Sequence, residues 1–280
     1  MVARQAFRAR ARVRGSAGQA PGRRALAWLG RAGLTARGVM YVLIGMIAVQ
    51  IAVQGSQQQA DRAGAVRLVA QTALGEVALW LLVTGFAGMA LWRLSEAAGG
   101  SPGPSGRKAT TRLASLALAV FYVVVTYGIL KYALGIGQLS SSDAQSQDLT
   151  AAALKHPGGQ WIVAIAGAIV VIAGLCVMYS AARLTFLRYL RMGQASARTR
   201  KAVTQLGRIG GIARGLVFAT IGVFLVIAAK DADPAQAKGI DSALRALAHT
   251  PLGPVLLAVV ALGLVTFGVY SWCEARWRAV

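Results

Sequence analysis

Apolar residues run almost unbroken through six stretches of this chain, at roughly 35–54, 76–95, 113–134, 161–182, 212–229 and 253–273. Each carries at most one or two charges, usually near an end. A hydrocarbon layer about 30 Å thick needs roughly 20 apolar residues at 1.5 Å rise each, so all six are long enough to cross a bilayer. Lipid offers no hydrogen bonds, so a spanning segment must be helical or belong to a closed barrel. Barrel strands would alternate over about ten residues, whereas the run WIVAIAGAIVVIAGLCVMY from Trp161 does not alternate. The sequence therefore predicts an all-α, polytopic membrane bundle of six transmembrane helices.

The stretches repeat. Leu29 opens LGRAGLTARGVMYVLIG and Leu206 opens LGRIGGIARGLVFATIG, an offset of 177 residues. Beyond the helix, AVRLVAQTALG from Ala65 parallels ALRALAHTPLG from Ala243, and Gly85, Glu96 and Ala97 recur as Gly263, Glu274 and Ala275. The middle copy is more diverged. Arg112 takes the place of Arg31 and Arg208, Tyr122 that of Tyr41 and Phe218, and Pro157 and Gly159 correspond to Pro251 and Gly253. The expected organisation is a disordered basic tail over 1–28, then repeats over 29–98, 110–185 and 206–278, each of two helices. Such repeats enter the membrane in one orientation, around a pseudo-threefold axis along the membrane normal. The Pro-x-acid-x-x-basic signature of mitochondrial carriers, which share this count, is absent.

The motif LGRxGxxARGxxYxxxG, the Ala-Leu-Arg connection, Pro-x-Gly and the closing Glu-Ala-Arg together resemble a bacterial family known as domain of unknown function 1206. The resemblance covers roughly residues 29–278. It implies a three-repeat, six-helix membrane protein and supplies no activity. The middle repeat departs from it, with Leu118 and Ala119 where the others have Arg-Gly.

Charge sets the orientation. The chain is 56% hydrophobic and 14% charged, with a net charge of +21. On a soluble protein that balance would suggest nucleic acid, but here the charges sort by side. The tail, the second and fourth connections and the C-terminus hold 23 basic residues; the other three connections hold six, against seven acids. The positive-inside rule puts the basic side, with both termini, in the cytoplasm, and the resemblance to a bacterial family implies that the membrane is a bacterial plasma membrane. Partners are then anionic lipid headgroups at that face, and a membrane protein partner; no nucleic acid is expected.

Candidate chemistry is sparse. No nucleophile elbow, phosphate loop or histidine–aspartate arrangement occurs, so no catalytic, cofactor-binding or metal-binding residue is assigned and no enzyme is expected. His156 and His249 lack carboxylate or cysteine company, and Cys176 and Cys273 read as packing residues. Arg37 and Arg214, in the first turns of spans one and five, and Glu96 and Glu274, at the ends of spans two and six, are the informative charges. One reading pairs Arg37 with Glu96 and Arg214 with Glu274, an ion pair inside each outer repeat. The others have the arginines snorkelling to phosphates, or forming a substrate or lipid site. Lys131, near Tyr127 and Tyr132, either snorkels or lines an anion path. Glycines spaced seven apart, such as Gly38 and Gly45, predict close helix packing. The function expected is that of an accessory, scaffold or lipid-binding component, with a transporter or channel along the pseudo-threefold axis as the alternative.

Overall fold

The computed structural model describes residues 21–55, 57–100, 108–193, 195–248 and 252–278. Among them the chain is all-helical apart from turns and one isolated bridge between Leu190 and Arg278. The helices are α1 (Pro21–Gln54), α2 (Arg62–Ala70), α3 (Gly75–Gly99), α4 (Ala109–Ala133), α5 (Ser142–Leu154), α6 (Gly159–Ala182), α7 (Ala197–Asp231), α8 (Ile240–Ala248) and α9 (Gly253–Trp277). Six of them, α1, α3, α4, α6, α7 and α9, are long and apolar enough to cross a membrane.

The helices outrun the apolar stretches. α1 begins at Pro21, inside the segment expected to be disordered, and α7 begins fifteen residues before Ile212, behind a Ser196 cap whose hydroxyl accepts from Thr199 N at 3.2 Å. A helix bundle has no reason to unwind where the lipid ends if its caps are satisfied. The rest of the expected tail, residues 1–20, lies outside the described residues.

Each repeat has the same layout: a spanning helix, a short helix folded back at its far end, and a second spanning helix. The short helices α2, α5 and α8 are an addition to the two-helix unit read from sequence. The second spanning helices α3, α6 and α9 all start on a glycine: Gly75, Gly159 and Gly253. A side chain at any of these would collide with the last carbonyls of the preceding short helix, those of Ala70, Ala153 and Ala248. Glycine is what lets the chain turn so tightly there.

The spanning helices pack in the order α4, α3, α1, α9, α7, α6. First and last repeats therefore meet through α9 and α1, and the repeats succeed one another around a common centre. The two spanning helices of the middle repeat, α4 and α6, do not pack along each other, so the ring has an open flank between them. Packing between repeats (α6 on α7, α9 on α1, α3 on α4) is more extensive than packing within them (α1 on α3, α7 on α9).

The glycines explain this. At α9–α1, Gly38 lies against the Gly268 carbonyl and Gly45 against that of Ala261. At α6–α7, Gly215 lies against the Gly174 carbonyl and Gly222 against that of Gly167. Small residues on facing helices bring backbones together, and in lipid that dispersion contact is a main source of helix association. The seven-residue glycine pairs thus serve the joints between repeats. Gly33 against Met89 and Gly210 against Phe267 are the corresponding close contacts inside the outer repeats.

Outward faces carry large exposed apolar side chains, including Trp161, Ile165, Ile169 and Ile172 on α6 and Val120, Val123 and Val124 on α4. Such a surface suits hydrocarbon and would be an aggregation hazard in water. Cys176 is exposed on this face of α6, so the expectation that it packs in the interior is corrected; Cys273 is half-buried.

One expected result follows from the α9–α1 joint. In Gly38→Val, the first added atom would fall 2.8 Å from the Gly268 carbonyl oxygen. Detergent unfolding of this variant should show a loss of about 1–3 kcal/mol. Gly99→Ala, whose surroundings are open, should unfold like the parent.

Candidate functional site

Two polar clusters stand out, one at each end of the bundle. At the basic end, Arg37 is buried at 6% exposure and its Nη2 donates to Glu274 Oε2 at 2.6 Å. Its Nε and Nη2 also donate to Ser271 Oγ at 3.3 and 3.2 Å, and the Ser271 hydroxyl donates in turn to the Phe267 carbonyl at 3.0 Å. Glu274 Oε1 accepts from Arg278. Arg278 and Arg93 cover Trp92 at 4.6 and 4.7 Å from the ring centroid, and Arg93 Nη1 donates to Glu96 Oε2 at 2.8 Å. Arg112 of α4 donates to the carbonyls of Ala97 and Ala98, capping the C-terminus of α3, where the helix dipole favours a cation.

The pairing expected inside each repeat is therefore wrong. Arg37 pairs with Glu274 of the third repeat, across the α9–α1 joint. Glu96 pairs with Arg93 on its own helix. Arg214 has no carboxylate partner among the described residues; its Nε donates to Tyr41 Oη at 3.0 Å, and its guanidinium lies 4.8 and 4.9 Å from the Phe218 and Phe267 rings. The physical reason is the small-residue joint. Gly38 presses α1 against α9 beside Ser271 and Trp272, and its neighbour Arg37 is carried to the same side. Lys131 stands apart at the far end of α4, its Nζ 5.6 Å above the Tyr127 ring.

The second cluster is formed by the starts of the three short helices. Asp61, with no exposed surface, accepts from Gly64 N at its own helix start and from Ser142 N at 2.6 Å and Ser142 Oγ at 3.0 Å. Asp143 accepts from Gly239 N at 2.6 Å and Ser242 Oγ at 2.7 Å. Asp241 accepts from Ala60 N at 2.7 Å and from Arg245 at 3.0 Å. Repeat one thus grips repeat two, two grips three, and three grips one, a closed cycle of carboxylate-to-backbone bonds. Three helix N-termini, each with a partial positive charge, converge here, and the carboxylates neutralise them. Asp143 and Asp241 are each the second residue of their helices, whereas Asp61 is a cap, so the cycle repeats in role and not in register. Beside it the Arg62 guanidinium lies 4.8 Å from the Phe121 ring, with Nε buried and unbonded. Burial holds its pKa below the usual arginine value, against the opposing pull of Asp61.

Between the clusters, Tyr41, Ile44, Arg214, Val217, Phe218 and Leu264, with Ile240 of α8, line a narrow crevice with room for about one water molecule. Among the described residues no three His, Cys, Asp or Glu side chains gather as a metal site would require. His156 is exposed, and His249 lies outside the described residues.

The family described as Domain of Unknown Function (DUF1206) matches this chain three times, over residues 32–100, 113–183 and 209–278. The chain belongs to the DUF1206 family. Each DUF1206 segment spans one pair of membrane-length helices and the short helix between them. "Uncharacterized protein YxxB" of Bacillus subtilis (strain 168) is similar, 29% identical over 244 residues, which is 86% of this chain and 87% of that protein. No solved structure matches.

Sequence reasoning missed the aspartate cycle of this DUF1206 chain, because the acids look scattered along the connections. A signal was present: Asp61, Asp143 and Asp241 each stand at the start of an alanine-containing run between two spans, one per repeat. Ser271, which orients Arg37, carried no signal, since the matching position of the first repeat is Arg93.

Proposed function

We propose that this protein is a non-enzymatic accessory or scaffold component of a bacterial plasma membrane, with its basic face and both termini in the cytoplasm and anionic headgroups as its lipid partners. The closed aspartate cycle carries this reading. A conduit along the centre would need an exit between the short helices, and there five hydrogen bonds from Ser142, Gly239, Ser242 and Ala60 reach the carboxylates of neighbouring repeats. Below it, the crevice lined by Tyr41, Arg214 and their apolar neighbours has room for about one water molecule, too little for a hydrated solute. Both acids of the basic face, Glu96 and Glu274, are engaged in ion pairs, which supports a holding role in preference to proton transfer. The second reading, a transporter or channel, draws on the parallel repeats and on the open flank.

Purified protein in sealed phosphatidylglycerol–phosphatidylcholine vesicles should pass potassium, chloride, protons and small organic anions no faster than empty vesicles. Saturable flux of any of them would replace the scaffold reading with the transport one.

A further inference from the structure

Two of the three repeats close on themselves by the same contacts. In the first, Gly33 meets Gly85 and Met89, and Gly85 meets Ala36; in the third, Gly210 meets Phe267, and Gly263 meets Ala213. These positions correspond by shifts of 177 and 178 residues. In the middle repeat, Arg112 aligns with Arg31 and Gly159 with Gly75. That alignment puts Ala114 and Ala117 where Gly33 and Ala36 stand, and Ile169 and Ala173 where Gly85 and Met89 stand. All four are exposed. A branched isoleucine in place of the glycine keeps the backbones of α4 and α6 apart, so the open flank is a helix joint left unmade.

Arg62, the first residue of α2, reaches this flank. Its guanidinium lies 4.8 Å from the centre of the Phe121 ring. Phe121 stands on the flank face of α4, four residues after Ala117, and is 44% exposed, whereas its counterpart Met40 in the first repeat is 2% exposed. Arg62 Nε is buried without an acceptor, and among the described residues the side chain makes no hydrogen bond or ion pair. Its neighbour Asp61 is taken up by Gly64 and Ser142. The other short helices open with Ser142 and Ile240, so this charge belongs to the first repeat alone. Phe121 is twelve residues from either end of α4, about 18 Å at 1.5 Å per residue, which puts headgroup phosphates out of range. The nine acids of the chain lie in the connections or within four residues of the end of a spanning helix, so a second copy offers no carboxylate at this depth. A cation inside a membrane is stabilised by an acid at its own level. Another protein's spanning helix can carry one there.

We propose that the flank between α4 and α6 receives a spanning helix of a partner protein, with an aspartate or glutamate near its middle that pairs with Arg62. This deepens the accessory reading, on which it rests, by giving the partner's chemistry. Ala114, Ala117 and Ala173 supply the small-residue surface on which such a helix packs.

The test mixes the full chain, in phosphatidylcholine vesicles, with a synthetic spanning peptide of about twenty leucines and alanines that has one central glutamate, or glutamine in a twin. Association is read by energy transfer between attached fluorophores. The glutamate peptide should bind about ten-fold more tightly than its twin, the worth of one charged hydrogen-bonded contact. Arg62→Gln should erase that preference and, relieved of an unpaired buried charge, raise the thermal midpoint of the peptide-free protein. Ala117→Phe, which fills the flank and leaves Arg62 in place, should weaken both peptides, and it carries the test if Arg62→Gln fails to fold. Val123→Phe, on another exposed face of α4, should behave as the parent. Equal binding of the two peptides, or a glutamate preference that survives Arg62→Gln, overturns the pairing; undiminished binding to Ala117→Phe overturns the flank as its place. If oleate, and neither peptide, raises the midpoint in an Arg62-dependent way, the occupant is a lipid and the partner helix is overturned. Arg62-dependent self-association would overturn it in favour of a second copy. Failure of the pairing with flux-silent vesicles strikes this partner alone, whereas saturable flux strikes the accessory reading beneath it.

Discussion

Glu274→Gln is expected to lower the stability of the folded bundle by about 3–5 kcal/mol, the usual cost of leaving a buried charge without its partner. Two cations depend on this carboxylate, Arg37 from the first helix and Arg278 from the turn after it. Arg37 has only 6% of its surface exposed and so cannot recover the loss by reaching water. Unfolding by titrated denaturing detergent, followed by circular dichroism, measures the effect. The reciprocal double variant, Arg37→Glu with Glu274→Arg, should recover part of it, because opposite charges still meet across the joint. A double variant no more stable than the worse single one would show that the pair does not couple. Glu96→Gln should cost less, since its partner Arg93 sits on the same helix and ties no repeats together.

Asp61→Ala is the second large effect, expected at about 2–5 kcal/mol. Three acceptor bonds disappear, and the half-buried backbone N–H groups of Gly64 and Ser142 lose the acceptor that the fully buried Asp61 supplies. Asp61→Asn keeps one acceptor oxygen and should lose less than half as much. Limited proteolysis reads this locally: cleavage near Ser142 should rise sharply in Asp61→Ala while the basic-end connections keep their parental pattern. An unchanged pattern would mean that the aspartate cycle does not hold the repeats together at that end.

How much of this was readable beforehand depends on the length of the signal. The six spans needed only composition over about twenty residues, and the repeats only self-similarity, so both emerged from the chain directly. The depth of Arg37, Arg214, Glu96 and Glu274 followed from their distance to the span ends. Their partners did not, because Glu96 and Glu274 are equivalent by sequence and α1 touches both α3 and α9. Only the backbone contact at Gly38 decides which carboxylate lies on the arginine's side. The glycine spacing announced tight packing, yet one sequence carries no mark of whether a glycine faces its own repeat or the next. The short helices were hidden for another reason. Their nine to thirteen residues are held by capping and by bonds to other repeats, and such tertiary support leaves little local trace.

The joint between α9 and α1 also constrains how the molecule is made. Arg37 is synthesised 237 residues ahead of the carboxylate that pairs with it. At translation rates of about 5–20 residues per second, the guanidinium waits roughly ten to fifty seconds for its counter-charge. During that interval the nascent first helix can neutralise itself only with lipid phosphates or with the insertion machinery. Closure of the α9–α1 joint therefore waits for Glu274, and a message truncated before it yields a chain whose first helix can dock on α3 but not on α9.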